Sequence, residues 1–305
     1  MESTVAITAL PKTKAAGKSL PLAVAELTKA GLNGLVVLTT ATGFYAGATG
    51  RMDLAQFTHT ILGTAILAAG AAALNQYLER DCDALMHRTA CRPLPSGRFK
   101  PESVLLFGIV LAVIGLAHLA LAVNLLTSIV GAFTLAGYLL VYTPLKRRTV
   151  WNTLIGAVPG ALPALMGWTA ARNDLSLPGW AWFGVLFFWQ IPHFMAISWL
   201  YREDYRRGGF VMLSGSDAGG ERVARLAVIH AIGLLAASVG MARLGMGGTV
   251  YTAGAVVAGL FALMVALRFA WERSERRARQ LFLVSIMHLP FLILLLWLDK
   301  PAAVS

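Results

Sequence analysis

Charge is scarce in this chain. Only 13% of its 305 residues are Asp, Glu, Lys or Arg, just 15 of them are acids, and 57% are hydrophobic. Such a composition cannot cover the surface of a water-soluble domain this long, and that class is excluded. Cysteine is nearly absent too. Cys82 and Cys91 are the only two, they form no CxxC pair, and no histidine–cysteine cluster accompanies them, so neither a disulfide nor a zinc site is expected. The apolar runs lack the alternation of barrel strands, and the first thirty residues lack the apolar core of a cleavable signal.

What remains is a chain of long apolar runs, near 32–48, 58–78, 103–123, 125–142, 151–170, 179–200, 224–245, 249–270 and 281–298. Each is long enough to cross a bilayer as a helix, and inside hydrocarbon a helix satisfies its own backbone. The reading is an all-α, polytopic membrane protein with nine spans. Residues 1–30 are expected to be a mobile cytoplasmic tail, and residues 31–305 a single membrane domain.

The basic residues set the orientation. Lys12, Lys14, Lys18 and Lys29 precede the first span, and the loops after spans 2, 4, 6 and 8 hold nearly all the rest. Only Arg51, Arg172, Arg243 and Lys300 fall on the other face. The positive-inside rule then puts the N-terminus in the cytoplasm and, with nine spans, the C-terminus across the membrane. The net charge of +11 is spread over loops of one face rather than gathered in a soluble domain, which points to topology and anionic lipid, not nucleic acid.

Two stretches concentrate chemistry. Asn75 to Gly97 reads NQYLERDCDALMHRTACRPLPSG where span 2 meets a basic loop. On a helix, Asn75, Glu79 and Asp83 fall within an arc of roughly 80°. Two carboxylates and an amide at that spacing suit a hard cation such as Mg2+, which takes its other ligands from water and phosphate. The competing reading is a solvated helix end with ordinary loop charges. Phe187 to Leu213 repeats the layout, an apolar span running into Glu203 and Asp204 among Arg202, Arg206 and Arg207. Pro192 is expected to open or kink that helix, and His193, Leu200 and Asp204 to share one face of it. Glu203 and Asp204 could hold a second metal; the alternative is a row of snorkelling interfacial side chains.

On the same face, Tyr142 to Arg148 reads YTPLKRR, and Lys146 and Arg147 could hold a leaving diphosphate or serve topology alone. Arg88 and Arg92 carry the same ambiguity. Span 5, with Gly156, Pro159, Gly160, Pro163 and Gly167, should kink and pack closely, opening a cavity. Tyr138, Trp168, Phe187, Phe188 and Trp189 could line it and stabilise a carbocation, or serve as core and interface anchors. His193 could meet haem iron, or be a satisfied core histidine; His59, His118, His230 and His288 show no partners in the sequence.

These motifs, with YTPLKRRTVWNTLIGAVPGALPALMGW and IPHFMAISWLYREDYRRGGFVML, resemble the UbiA-type intramembrane prenyltransferases, in particular the branch that modifies haem, over roughly residues 30 to 298. The resemblance implies helices bundled around a central cavity open to the cytoplasmic face of the cell inner membrane. It implies transfer of a farnesyl group from farnesyl diphosphate to a vinyl group of haem B, giving haem O, with Mg2+ as cofactor. By the same analogy the catalytic residues are Asn75, Glu79, Asp83 and Asp204, and the metal ligands are these with Glu203. Arg80, Arg88, Tyr142, Lys146, Arg147, His193, Tyr201 and Arg202 would contact substrate. Partners so implied are the lipid bilayer and haem A synthase or oxidase assembly factors.

Two positions depart from the branch that prenylates aromatic rings: Glu79 stands where that branch has Asp, and Gly208 where it has a second acid after Asp204. An aromatic acceptor of quinone or chlorophyll synthesis is the alternative within the class. Outside it, a transporter would place acids near mid-membrane with symmetry between halves, and a haem electron carrier would need histidine pairs across facing spans.

Overall fold

The computed structural model describes residues 19–301, which are helical throughout apart from loops and turns. Eight helices are long and apolar enough to cross a membrane, and a ninth crossing results if α1 (Leu20–Leu27) and α2 (Ala30–Gly47), bent by 54° at Lys29, count as one broken span. Of the tail expected over 1–30, Lys12, Lys14 and Lys18 lie outside the described residues, whereas α1 is already helical. Lys29 sits in the left-handed region, at φ 49° and ψ 46°, which turns the chain from α1 into α2.

The other elements follow in order: α3 (Leu54–Asp83), α4 (Pro101–Ala122), α5 (Leu125–Ala136), a π-helical stretch Gly137–Tyr142, α6 (Thr143–Leu145), α7 (Asn152–Arg172) and α8 (Leu177–Leu200). Then come α9 (Arg202–Arg207), α10 (Leu213–Ser216), α11 (Glu221–Arg243), α12 (Thr249–Trp271) and α13 (Glu275–Leu298). Antiparallel neighbours α3 and α4 pack most extensively, with Gly70 lying so close to the α4 backbone at Gly108 and Ala112 that a Cβ would collide. Outside sequence order, α2 packs on α7, and α8 on both α11 and α13.

The length of α3 positions the chemistry. Asp53 caps its start by accepting from the backbone of Ala55 and Gln56, and its 30 residues then extend for about 45 Å, against a hydrocarbon thickness of about 30 Å. Its last turns, carrying Asn75, Glu79 and Asp83, therefore emerge at one interface.

Pro192 stands inside α8, which it does not open, and Pro159 and Pro163 stand inside α7. The break occurs instead at Tyr201 (φ −110°, ψ 23°), so His193 and Asp204 belong to separate helices and share no face.

Candidate functional site

Asn75, Glu79 and Asp83 turn inward together, at 0%, 6% and 1% exposure. Buried oxygens of this kind need partners, and each has one. Lys29 Nζ donates to Asn75 Oδ1 at 2.6 Å, Lys146 Nζ to Glu79 Oε1 at 2.7 Å, and Arg92 Nη1 to Asp83 Oδ2 at 2.6 Å. The Asn75 amide has a fixed orientation: Thr143 spends its hydroxyl proton on the Tyr138 carbonyl, so its oxygen accepts from Asn75 Nδ2 and leaves Oδ1 to the cation.

Glu79 and Asp83, with Lys29, Arg92 and Lys146, line a polar cavity of about 100 Å³, and Asn75 stands behind Lys29, outside its lining. Lys29, Arg88, Arg92 and Lys146 stand in its wall against only two carboxylates, Glu79 and Asp83. Burial acts to lower the Lys146 pKa, but Tyr142, Glu79 and Tyr138 around it more than offset this and hold the ammonium above its ordinary value. Arg88, Arg92 and Lys146 by themselves outnumber its carboxylates, so the cavity suits a polyanion.

The second motif closes this cavity with its aromatic residues. Arg88 lies over the rings of Tyr205, at 4.8 Å, and Tyr201, at 5.7 Å, while Met86 packs with Phe210 and Tyr205. The strand of loop that follows is tied down, since Val211 N donates to the Lys146 carbonyl at 2.7 Å and Asn152 Nδ2 to the Val211 carbonyl at 2.7 Å. The acids of that motif do not line the cavity. Glu203 faces solvent in an ion pair with Arg206 at 2.7 Å, and Asp204, largely shielded, pairs with Arg207 at 3.4 Å.

Other expected residues are dispersed. Arg80 folds back on Tyr77 and its carbonyl, Arg147 is exposed, and Arg202 turns to Trp199 and to Glu275 of α13. His193 lies between Trp189 and Phe282, with Nδ1 2.9 Å from Ser285 Oγ. Because Ser285 donates its own proton to the Phe282 carbonyl, the histidine must be the donor, which leaves Nε2 as a lone pair. His59 and His118, unpaired in the sequence reading, are 3.3 Å apart nitrogen to nitrogen across α3 and α4. Antiparallel register creates that pair, and no sequence spacing reveals it.

The polar cavity adjoins an apolar one of about 280 Å³, and the two share Lys29, Tyr142 and Phe194 as a common rim. Gly156 and Gly160 of α7 make room for it: a Cβ on the first would strike the Tyr142 ring, and on the second Gln190 Oε1. Of the aromatics expected here, Tyr138 lines this chamber; Trp168 and Trp189 belong instead to an apolar core against which Phe187 and Phe188 pack. The π-helical stretch stacks Tyr138 on Tyr142 with centroids 5.9 Å apart, so both rings face the junction.

Sequence reading missed Lys29, Tyr205, Phe210 and Phe194. Lys29 carried one available signal, a lone ammonium at the mouth of the first apolar run. Tyr205 and Phe210 depend on how α9 and its loop fold over α3, and Phe194 on which face α8 turns to the junction.

The donor set is compatible with a hard divalent cation: three buried oxygens, no nitrogen or sulfur, on one helix face. Among the described residues no three His, Cys, Asp or Glu side chains gather in a group that could hold a metal ion.

A polyanion receptor opening onto a hydrocarbon-lined chamber, at one face of a helical membrane bundle, defines a protein that handles an amphiphile with a highly charged head. The model of the UbiA prenyltransferase family matches residues 36–294, and this chain belongs to that family. It is 45% identical over 285 residues to the protoheme IX farnesyltransferase of Solibacter usitatus, covering 90% of this chain and 98% of that protein. It is 42% identical over 273 residues to the enzyme of the same name from Salinibacter ruber, with 90% and 96% covered. To the human mitochondrial protoheme IX farnesyltransferase it is 40% identical over 277 residues, 91% of this chain and 62% of that one. Among solved structures, a UbiA homolog from Archaeoglobus fulgidus bound to GPP and Mg2+ superposes with a TM-score of 0.62 at 14% identity, covering 90% of this chain and 99% of that one. A digeranylgeranylglyceryl phosphate synthase structure gives 0.78 at 15%, with 92% and 98% covered. The chain is thus a multi-pass membrane prenyltransferase.

Proposed function

We propose that this enzyme transfers the farnesyl group of farnesyl diphosphate to a vinyl group of haem B, giving haem O. The observation that carries the reading is the junction of the two cavities at Lys29, Tyr142 and Phe194, which seats a charged head and a hydrocarbon tail on either side of one rim. The names and high coverage of the relatives favour haem as acceptor.

In this reading Lys29, Arg88, Arg92 and Lys146 bind the diphosphate and hold the bridging oxygen ready to leave. A divalent cation of the Mg2+ type, when bound, neutralises charge on the diphosphate oxygens; Asn75, Glu79 and Asp83 would hold it. Asp204 is the candidate from the second motif, and Glu203, turned to solvent, is set aside. As the allylic carbon–oxygen bond breaks, its electron pair leaves on diphosphate. The vinyl π pair forms the new carbon–carbon bond, and water adds to the cation left beside the ring, losing a proton to give the hydroxyethylfarnesyl group. Tyr138 and Tyr142 present faces that tolerate the cationic carbon without capturing it. His193, with Nε2 free, is the residue proposed to meet the acceptor.

The basic loops favour an orientation with this end in the cytoplasm and residence in the inner membrane, the first span being the broken α1–α2 pair. From there the product would pass to haem A synthase or oxidase assembly factors. Purified enzyme incubated with farnesyl diphosphate and either haem B or 4-hydroxybenzoate tests the assignment by product mass. Prenylation of the benzoate alone would replace it with the aromatic-acceptor reading.

A further inference from the structure

The helix breaks at Lys29, and side chains close the break. In one continuous helix the carbonyls of Glu26, Leu27 and Thr28 would accept from the amides four residues on. The left-handed residue at Lys29 interrupts that ladder. Gln76 Nε2 donates instead to the carbonyls of Glu26, at 2.8 Å, and Leu27, at 3.0 Å, and Asn33 Nδ2 donates to the carbonyl of Thr28 at 2.7 Å. The Glu26 carbonyl accepts in addition from Lys29 N at 3.2 Å.

Gln76 is fully buried on α3, and these two acceptors fix the orientation of its amide. Its Oε1 is left inside the protein without a hydrogen-bond partner. An apolar side chain would avoid that loss, so the donors are what the amide contributes here. Packing does not replace them. Leu27, in a cluster with Ala73, Leu94 and Val104, holds the end of α1 against its neighbours but sets no backbone angle at Lys29.

Two conformations of this segment compete. With Lys29 in the right-handed region, α1 and α2 would run on as one helix, pairing the three carbonyls within the backbone and sparing a residue with a Cβ the cost of positive φ. That form would leave the Gln76 donors buried and unpaired. With Lys29 at φ 49° and ψ 46°, the helices bend by 54° and its ammonium donates to Asn75 Oδ1 at 2.6 Å, in the wall of the polar cavity. Gln76 thus favours the bent form alone, and it adjoins Asn75 on α3.

We infer that Gln76 is a positioning residue for Lys29: by pairing the last carbonyls of α1 it holds the left-handed turn, and the turn delivers the ammonium to the polar cavity. The inference rests on the proposed diphosphate site and adds what keeps one of its cations in place.

The test compares Gln76→Leu, Lys29→Met and the double variant, with haem B as acceptor and Mg2+ present. Gln76→Leu should raise the KM for farnesyl diphosphate and the dissociation constant of inorganic pyrophosphate by about tenfold, the scale of one hydrogen bond to a charged group, with kcat little changed. Lys29→Met should do the same. Because Gln76 acts through Lys29, adding Gln76→Leu to Lys29→Met should change neither constant further. A residue that only supports the fold would weaken both backgrounds by the same factor, and that result would overturn the inference. So would a Gln76→Leu enzyme that binds pyrophosphate as tightly as the unaltered one while Lys29→Met does not. Pyrophosphate affinity unchanged by Lys29→Met would instead refute Lys29 as a diphosphate ligand, and the inference would fall with that reading. Gln76→Met, unbranched and close to glutamine in length, carries the same expectations where leucine does not pack.

Discussion

Lys146 Nζ and Glu79 Oε1 face each other at 2.7 Å across the polar cavity, one from just past α6 and the other from α3. The two side chains are 16% and 7% exposed, so the pair is buried enough that removing one partner strands the other. Lys146→Met should destabilise the protein by about 3–5 kcal/mol, seen as a lower thermal midpoint in detergent. It should also weaken farnesyl diphosphate binding more than tenfold. The Glu79→Gln, Lys146→Met pair should recover much of the stability and none of the binding. Recovery of both would mean that Lys146 only neutralises Glu79.

Asp83 should matter to turnover more than to folding. Its carboxylate is one of the two in the basic wall of the cavity, so Asp83→Ala keeps the cavity positive while deleting an oxygen proposed to bind the cation. Prenyl transfer measured by product mass should vanish while gel filtration shows an inserted, monodisperse protein. Turnover at the unaltered rate would contradict the ligand role.

Chelation should act on the same step. EDTA should abolish product formation and added Mg2+ restore it, as the all-oxygen donor set of Asn75, Glu79 and Asp83 leads one to expect. Undiminished product in excess chelator would leave the lysines and arginines as the whole diphosphate site.

If His193 meets the acceptor as proposed, Ser285, whose oxygen accepts from Nδ1, acts through it as a positioning residue by fixing the tautomer. On titration with haem B, His193→Ala should shift the Soret band relative to the unaltered protein, and imidazole should reverse the shift. Ser285→Ala should give a weaker, mixed spectrum, because Nε2 is then protonated in part of the molecules. Spectra identical across the three proteins would remove His193 from the acceptor site.

Much of the site is legible in the sequence. The inward face of Asn75, Glu79 and Asp83 follows from helical spacing, and the Gly156–Gly160 opening follows from side-chain size. What spacing could not supply was the path of the chain after Leu200. A single break at Tyr201 turns Glu203 to solvent and Asp204 towards Arg207, bringing Tyr205 to the cavity in their place. The pairing of Glu79 and Asp83 with Lys146 and Arg92 likewise depends on how the loops fold back. Composition alone settles only that those loops are basic.

The left-handed turn at Lys29 has one more consequence. That amine lies ahead of residue 36, where the family match begins, yet it supplies part of the wall shared by both chambers. A polypeptide begun at residue 36 would lack this ammonium: Asn75 Oδ1 would lose its hydrogen-bond donor, and one of the three residues common to both chambers would be gone.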